Sequence, residues 1–127
     1  PVLKHHGGAK MTAALKNLMG AVWDRGALHR QGLDQTIPEM LLYKKPVLHI
    51  VEAMRVMLSG GPRGHGDSRY LAAGLLIVSP DPVAADAASA RIMAESGISA
   101  PAYIGQAAAL GLGVDNLESL NIQRLTA

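Results

Sequence analysis

Two uninterrupted apolar runs constrain the fold of this chain more than any other feature. The segments "PVLHIV" and "GLLIVS" are apolar on both faces apart from His49. Strands of this kind are typical of sheets that helices cover. They alternate with the amphipathic segments "AKMTAALKNLMG" and "SPDPVAADAASARIMAESG". The sequence therefore predicts an α/β fold, with a mostly parallel sheet flanked by helices, in a single domain over residues 1–127.

The local patterns predict the individual elements. Asp81 is expected at the N-cap of a helix whose first residue is Pro82, and "GGPRGHGD" is expected in a surface loop within residues 55–70. The other expected elements are strands at 1–5, 47–52 and 74–79, helices from about residue 9 to 20 and over 34–45, a short helix after Pro101, and an edge strand in "LESLNIQRL".

Composition excludes several classes of protein. The chain has no cysteine, so it cannot by itself build a disulfide, a zinc–thiolate site or a cysteine-ligated iron–sulfur cluster. Its net charge is only +2, and its basic residues are spread from Lys4 to Arg124. A nucleic-acid partner is therefore not expected. No apolar run approaches the ~18 residues of a membrane span, so we expect no membrane partner. The lack of cysteine leaves the compartment open but favours a cytoplasmic location.

Three motifs follow predicted strands. His5 and His6, Glu52, and Asp81 each come directly after one. Ligands of open α/β sheets bind beyond the carboxyl ends of parallel strands, so a parallel sheet would bring these motifs to one rim. The sequence between Glu52 and Gly74 shows no pattern typical of a helix. If the strands at 47–52 and 74–79 pair antiparallel instead, Asp81 lies at the opposite edge of the sheet.

Lysines surround the first of these motifs. Lys4, Lys10 and Lys16, together with the free amides of a helix beginning near Ala9, would form a pocket for a phosphate or carboxylate. Asn17 could donate a hydrogen bond to the same ligand. The alternative is that the lysines extend into solvent from a strand end and an exposed helical face.

Metal ligation and anion binding by the glycine loop are further hypotheses. His5, His6, His29, Glu52 and Asp86 offer nitrogen and oxygen ligands for a divalent metal, although no tight spacing joins them. Histidines of this kind are more often hydrogen-bonded surface residues. The loop "GGPRGHGD" has free backbone amides and an arginine, yet it lacks the ending of a phosphate-binding P-loop and is also consistent with a flexible turn.

Asp86 requires a partner. It lies among alanines in a helix that looks half-buried, where an unpaired carboxylate would be costly. We expect Lys4, Lys16 or Arg91 to form an ion pair with it. Such a carboxylate serves either as a general base or as a structural ion pair.

Five segments in order resemble one family. "PVLKHH", "TAALKNLMG", "LHRQGLDQTI", "GGPRGHG" and "VSPDPVAADAASARIM" are similar to the uncharacterised domain of unknown function 362 over roughly residues 1–113. Members are often described as iron–sulfur-center proteins, because many carry a ferredoxin-like domain beside the shared one. The resemblance points to the following residues: Lys4, His5, Lys16, Asn17, His29, Gly61, Pro62, Gly64, Asp81 and Asp86.

The chain departs from the family pattern in two ways, and the second bears on how copies of the chain assemble. Glu52 stands where the family leads us to expect aspartate, and an upstream strand-and-helix portion does not precede Pro1. The chain thus looks like the C-terminal part of a larger domain. An open sheet edge invites association, so we expect a homo-oligomer.

The leading functional hypothesis is an α/β domain that binds an anionic small molecule at the strand-end rim. A divalent metal is a candidate cofactor. The domain would serve a redox-linked enzyme whose iron–sulfur cluster lies on another polypeptide, with a ferredoxin-like protein as candidate partner. Lys4 and Lys16 would hold the anion, Asn17 would orient it, and His5 or Asp86 would move a proton. The alternative is a non-catalytic assembly or scaffold module.

Overall fold

The computed structural model describes residues 1–126, which form a four-stranded sheet with five α-helices. The strands run in the order β2-β1-β3-β4. Strands β1 and β3 pair in parallel, whereas β1–β2 and β3–β4 are antiparallel. The α/β class is confirmed, but the expectation of a mostly parallel sheet is wrong. The strand bounds are Val2–His6 (β1), Lys10–Thr12 (β2), His49–Met57 (β3) and Tyr70–Ser79 (β4).

The missing crossover helix explains the mixed sheet. Strand β3 continues beyond Glu52 to Met57, and the glycine-rich loop then returns the chain to β4, with the Leu58 amide donating to the Arg69 carbonyl. A parallel return would need a longer crossover connection, usually a helix, which the sequence between these strands does not supply. Ser79 consequently pairs with His49, at the beginning of β3.

The first helix begins later than the sequence pattern predicts. Residues 7–9 form a turn, and β2 pairs with β1 through His6 and Lys10. Helix α1 covers only Ala14–Asn17 and is followed by a 3₁₀ turn over Leu18–Ala21. The glycine pair favours a tight hairpin turn over a helix start. The amides of residues 9 and 10 therefore do not begin a helix.

The remaining helices lie on one face of the sheet. Asp81 caps α4 as predicted, whereas α2 lies in a stretch that looks irregular in the sequence, and Pro38 falls inside α3 rather than in its first turn. "LESLNIQRL" forms a 3₁₀ turn over Leu117–Ser119 instead of a strand. The helix bounds are Arg25–Gln31 (α2), Leu33–Tyr43 (α3), Pro82–Ala94 (α4) and Ala102–Ala109 (α5).

The core lies between the sheet and this helical layer. Leu3, Val51 and Val56 project from the strands into it and are fully buried. Helix α4 packs on both β3 and β4, and its small side chains allow close approach. None of the helices in residues 1–126 has the length and apolar character needed to cross a membrane.

Candidate functional site

Five basic side chains meet where β1 ends. We call them the basic cluster: Lys4, His5, His6, Lys16 and His29. Strand β1 supplies the first three, α1 supplies Lys16 and α2 supplies His29. The rings of His6 and His29 lie 6.1 Å apart between centroids, and the charges of both lysines act on His6. The turn at residues 7–9 and the short α1 create this convergence, because they lay residues 14–17 back beside the end of β1.

His6 is a neutral hydrogen-bond donor at the centre of the cluster. Its Nδ1 atom accepts the Ala9 amide proton at 3.0 Å, so the proton of the neutral ring lies on Nε2. Burial, followed by the charge of Lys16, lowers the pKa of His6 to about 4. The sequence pattern predicts His6 as part of a strand-end motif and as a candidate metal ligand, but not as the centre of a basic cluster. His6 directly precedes the glycine turn, and this position was the sequence signal that its ring would contact the turn.

His5 ties β1 to the glycine-rich loop. Its Nδ1 atom accepts the Gly61 amide proton at 3.2 Å, which leaves Nε2 as the donor of the neutral ring. A side chain at Gly61 would overlap the carbonyl oxygen of His5, so only glycine allows this approach. The cis peptide bond to Pro62 lies at the same point. Gly61 therefore contacts His5 of the cluster, whereas Gly64 lies against Met57 and Tyr70.

The lysine charges of the cluster are not neutralised by carboxylates. Within residues 1–126, the ion pairs closer than 4.0 Å are Arg30–Asp24 and Arg91–Glu118, and neither involves Lys4 or Lys16. Burial and then the charge of Lys4 lower the pKa of Lys16. Both lysines are half-buried, so solvent screens their mutual repulsion only in part. An anion would relieve this repulsion.

His29 and Asn17 are both exposed, and Asn17 directly follows Lys16 in α1. The Nδ1 atom of His29 lies 2.8 Å from the Arg25 carbonyl oxygen, to which it must donate. The Nε2 atom of the neutral His29 ring is therefore an acceptor, opposite in character to Nε2 of His6. The cluster thus offers one imidazole that can donate a hydrogen bond and one that can accept one.

Asp86 is a buried helix cap rather than the partner of a lysine. It is 0% exposed, and its Oδ1 atom accepts the amide protons of Ala14 at 2.6 Å and Leu15 at 3.2 Å. No Lys or Arg nitrogen in residues 1–126 lies within 4.0 Å of it, so the expected ion pair is wrong. Its Oδ2 atom has no hydrogen-bond partner among the described residues.

The protonation of Asp86 follows from this burial. Desolvation raises the pKa of Asp86 to about 7, although the amides of Leu15 and Ala14 and the neighbouring Tyr103 hydroxyl oppose the rise. Burial, reinforced by Asp86, raises the pKa of Tyr103 as well. Because Asp86 is sealed inside the core, it cannot touch a ligand at the surface. Its connection to the basic cluster runs through α1, which it caps and which carries Lys16.

Asp81 and Glu52 lie away from the basic cluster. Asp81 caps α4 through the amides of Val83 and Ala84, and its Oδ2 atom accepts the Val114 amide proton at 2.8 Å, a contact that no local sequence pattern predicts. It follows Ser79, at the opposite end of the sheet from His5. The predicted single rim is therefore wrong.

The predicted metal ligands do not come together. Glu52 lies inside β3, paired with Val2 and Leu76, whereas His29 lies beside His6 at the other end of β1. Over residues 1–126, no three His, Asp or Glu side chains are grouped so that they could hold a metal ion. The absence of cysteine likewise means that this chain provides no thiolate ligand for an iron–sulfur cluster.

Comparison with known protein families gives a match. The model of the family described as domain of unknown function (DUF362) matches residues 1–91, which include the whole basic cluster, Asp81 and Asp86. The match ends before the residue 113 that the sequence motifs suggest. No curated protein and no solved structure matches the chain.

Proposed function

We propose that this chain, which belongs to the DUF362 family, binds a small phosphate- or carboxylate-bearing anion at the basic cluster. The observation that carries the proposal is the convergence of Lys4 and Lys16 around His6 without a neutralising carboxylate. A bound anion would supply the missing charge. Hydrogen bonds to charged groups stabilise by roughly 1.5–3 kcal/mol each, enough for a specific site built from a few of them.

Each member of the cluster has a distinct role in this proposal. Lys4 and Lys16 provide charge, and the Nε2–H groups of His5 and His6 donate hydrogen bonds to oxygens of the ligand. Asn17, at the exposed end of α1, orients the ligand. His29 accepts a proton through Nε2, because its Nδ1 atom is held by the Arg25 carbonyl. His5 stays a proposed proton carrier, whereas the buried Asp86 acts only by capping α1.

We further propose that the chain acts as a module of a redox-linked enzyme. The family resemblance supports it, because many relatives carry a ferredoxin-like domain. The iron–sulfur cluster would lie outside these 127 residues, since they contain no cysteine. The anion would then be the substrate whose proton transfer His29 or His5 assists.

Binding can be tested with inorganic phosphate and citrate as probes. The histidine rings are followed by nitrogen-15 NMR while the probe is added at constant ionic strength maintained with sodium chloride. We expect saturable shifts of the His6 ring and a rise in the pKa of His6, because the bound anion offsets the lysine charges that lower it. Sodium chloride alone should not produce these shifts, since simple screening is not saturable.

Matched lysine variants locate the site. Lys16→Gln should weaken binding at least about tenfold, the equivalent of about 1.4 kcal/mol for a lost charged contact. Lys44→Gln is the control, because Lys44 is an exposed lysine just after α3 and outside the basic cluster. Equal affinity in Lys16→Gln and in the unmodified chain, or no saturable shift with either probe, would contradict the proposal.

A further inference from the structure

Two neighbouring histidine rings of the basic cluster present opposite hydrogen-bonding atoms. The Nδ1 atom of His6 accepts the Ala9 amide proton, so the neutral ring is a donor at Nε2. The Nδ1 atom of His29 must donate to the Arg25 carbonyl oxygen, so the neutral ring is an acceptor at Nε2. Because a backbone group holds each ring, neither ring can exchange its role while that hydrogen bond is kept.

Both Nε2 atoms are available to a ligand. Within residues 1–126, the hydrogen bonds of these two rings are those made by Nδ1. The ring centroids of His6 and His29 lie 6.1 Å apart. Two hydrogen bonds of about 2.8 Å that meet at one ligand group span a similar distance. One compact ligand is therefore large enough to contact both rings.

The charge around the two rings favours an anion. Among charged groups, Lys16 lowers the pKa of His6 most, followed by His29, His5 and Lys4. All four of these groups are basic, so their potential adds up at one place. An anionic ligand would therefore bind where one ring offers a proton and its neighbour offers a lone pair.

Anions differ in whether they can use the lone pair of His29. Sulfate and simple carboxylates are fully ionised at neutral pH and have only acceptor oxygens. One of those oxygens would face the His29 Nε2 lone pair without a proton between them, and this contact is repulsive. An anion that also carries a hydroxyl group can donate there, so it satisfies both rings at once.

We infer that the basic cluster selects anions that carry a hydroxyl group beside their anionic oxygens, the chemistry shared by hydroxycarboxylates and by the hydrogen phosphate ion. The anionic oxygens accept hydrogen bonds from Lys16 and from Nε2 of His6, while the hydroxyl donates to Nε2 of His29. This inference rests on the proposed function and adds the substrate class to it. His29 sets the specificity of the site, whereas the lysines supply its charge.

Two matched pairs of anions test this selectivity at pH 8, above the usual titration range of histidine. Hydrogen phosphate and sulfate are both tetrahedral dianions, and only hydrogen phosphate carries a hydroxyl group. Citrate and tricarballylate share the same three carboxylates, and only citrate carries a hydroxyl group. Isothermal titration calorimetry at constant ionic strength should show that the hydroxyl-bearing member of a pair binds at least about fivefold more tightly, a ratio typical of one hydrogen bond gained.

A variant of His29 shows whether its lone pair is responsible. His29→Phe keeps a ring but has no acceptor, so the two members of each pair should bind within about twofold of each other. His65→Phe, at an exposed histidine of the glycine-rich loop outside the basic cluster, is the control and should keep the preference. Because each ratio is measured within one variant, a general change in stability or affinity cancels.

The outcomes separate this inference from the proposed function. Equal or reversed affinities within both pairs, or a preference that survives in His29→Phe, overturn the inference and leave the anion site in place. No saturable binding of any of the four anions overturns the proposed function and this inference with it. A preference within the citrate pair alone supports the inference and assigns a hydroxycarboxylate, whereas a preference within the phosphate pair alone supports it and assigns a hydrogen phosphate group.

Discussion

Replacing Asp86 by asparagine should make the protein more stable at alkaline pH. The amide side chain of Asp86→Asn would still offer its Oδ1 atom to the backbone N–H groups of Ala14 and Leu15, and it would carry no charge into the core. The folded-state pKa of Asp86 is about 7, above the ordinary 3.8. The native state therefore binds this proton more tightly than the unfolded state, and the stabilisation is fully present only below about pH 4. It is lost as the pH rises towards 7.

The size of the effect follows from the two pKa values. A difference of about 3 units corresponds to about 4 kcal/mol over the whole range, at about 1.4 kcal/mol per unit. Between pH 5 and pH 8 we expect the advantage of Asp86→Asn over the unmodified chain to grow by about 3 kcal/mol. Asp86→Ala should be about 2–4 kcal/mol less stable than Asp86→Asn at both pH values, because two buried amides lose their acceptor.

Urea unfolding followed by circular dichroism at pH 5 and pH 8 measures these differences. Comparing the variant with the unmodified chain at each pH cancels the titration of the other groups. Asp67→Asn, at an exposed loop carboxylate, is the control and should show no such pH-dependent gain. If Asp86→Asn is as unstable as Asp86→Ala at pH 8, a neutral acceptor does not suffice to cap α1, and the reasoning that the buried charge of Asp86 lowers stability is refuted.

Two further predictions concern the site. The His6 ring should stay neutral, with its proton on Nε2, from pH 8 down to pH 5, because its pKa is lowered to about 4; a nitrogen-15 titration midpoint near 6.5 would contradict this. Gly61→Ala should lower stability by more than about 1 kcal/mol, because its Cβ atom overlaps the His5 carbonyl oxygen and a neighbour must shift. Gly66→Ala, where no atom lies within 4 Å of the added carbon, is the matched control, and equal melting temperatures would contradict the prediction.

Local signals in the sequence predicted some elements well. Asp81 and Pro82 mark the start of α4 because this cap is formed by residues that are adjacent in the sequence. The apolar runs mark β3 and β4 for the same reason. The position of Lys4 and His5 at the end of β1 also follows from local pattern.

Features that depend on distant contacts were not predictable. Strand direction between β3 and β4 depends on the connection, which a periodicity argument does not define. The glycine pair before Ala9 fits a helix start or a hairpin turn, and only the pairing of β2 with β1 distinguishes them. The partner of Asp86 lies 72 residues away, so charge alone suggested a lysine where the structure places backbone amides.

The cap that Asp86 provides for α1 has a consequence for the order of folding. A single helical turn is unstable alone, because nucleation is costly and few hydrogen bonds follow it. Helix α1 has four residues, and its capping group belongs to α4, 72 residues later in the chain. We therefore expect Lys16 to take its place only after α4 has docked on the sheet and this long loop has closed. A nascent chain that ends before α4 should have the residues of the basic cluster but not their arrangement.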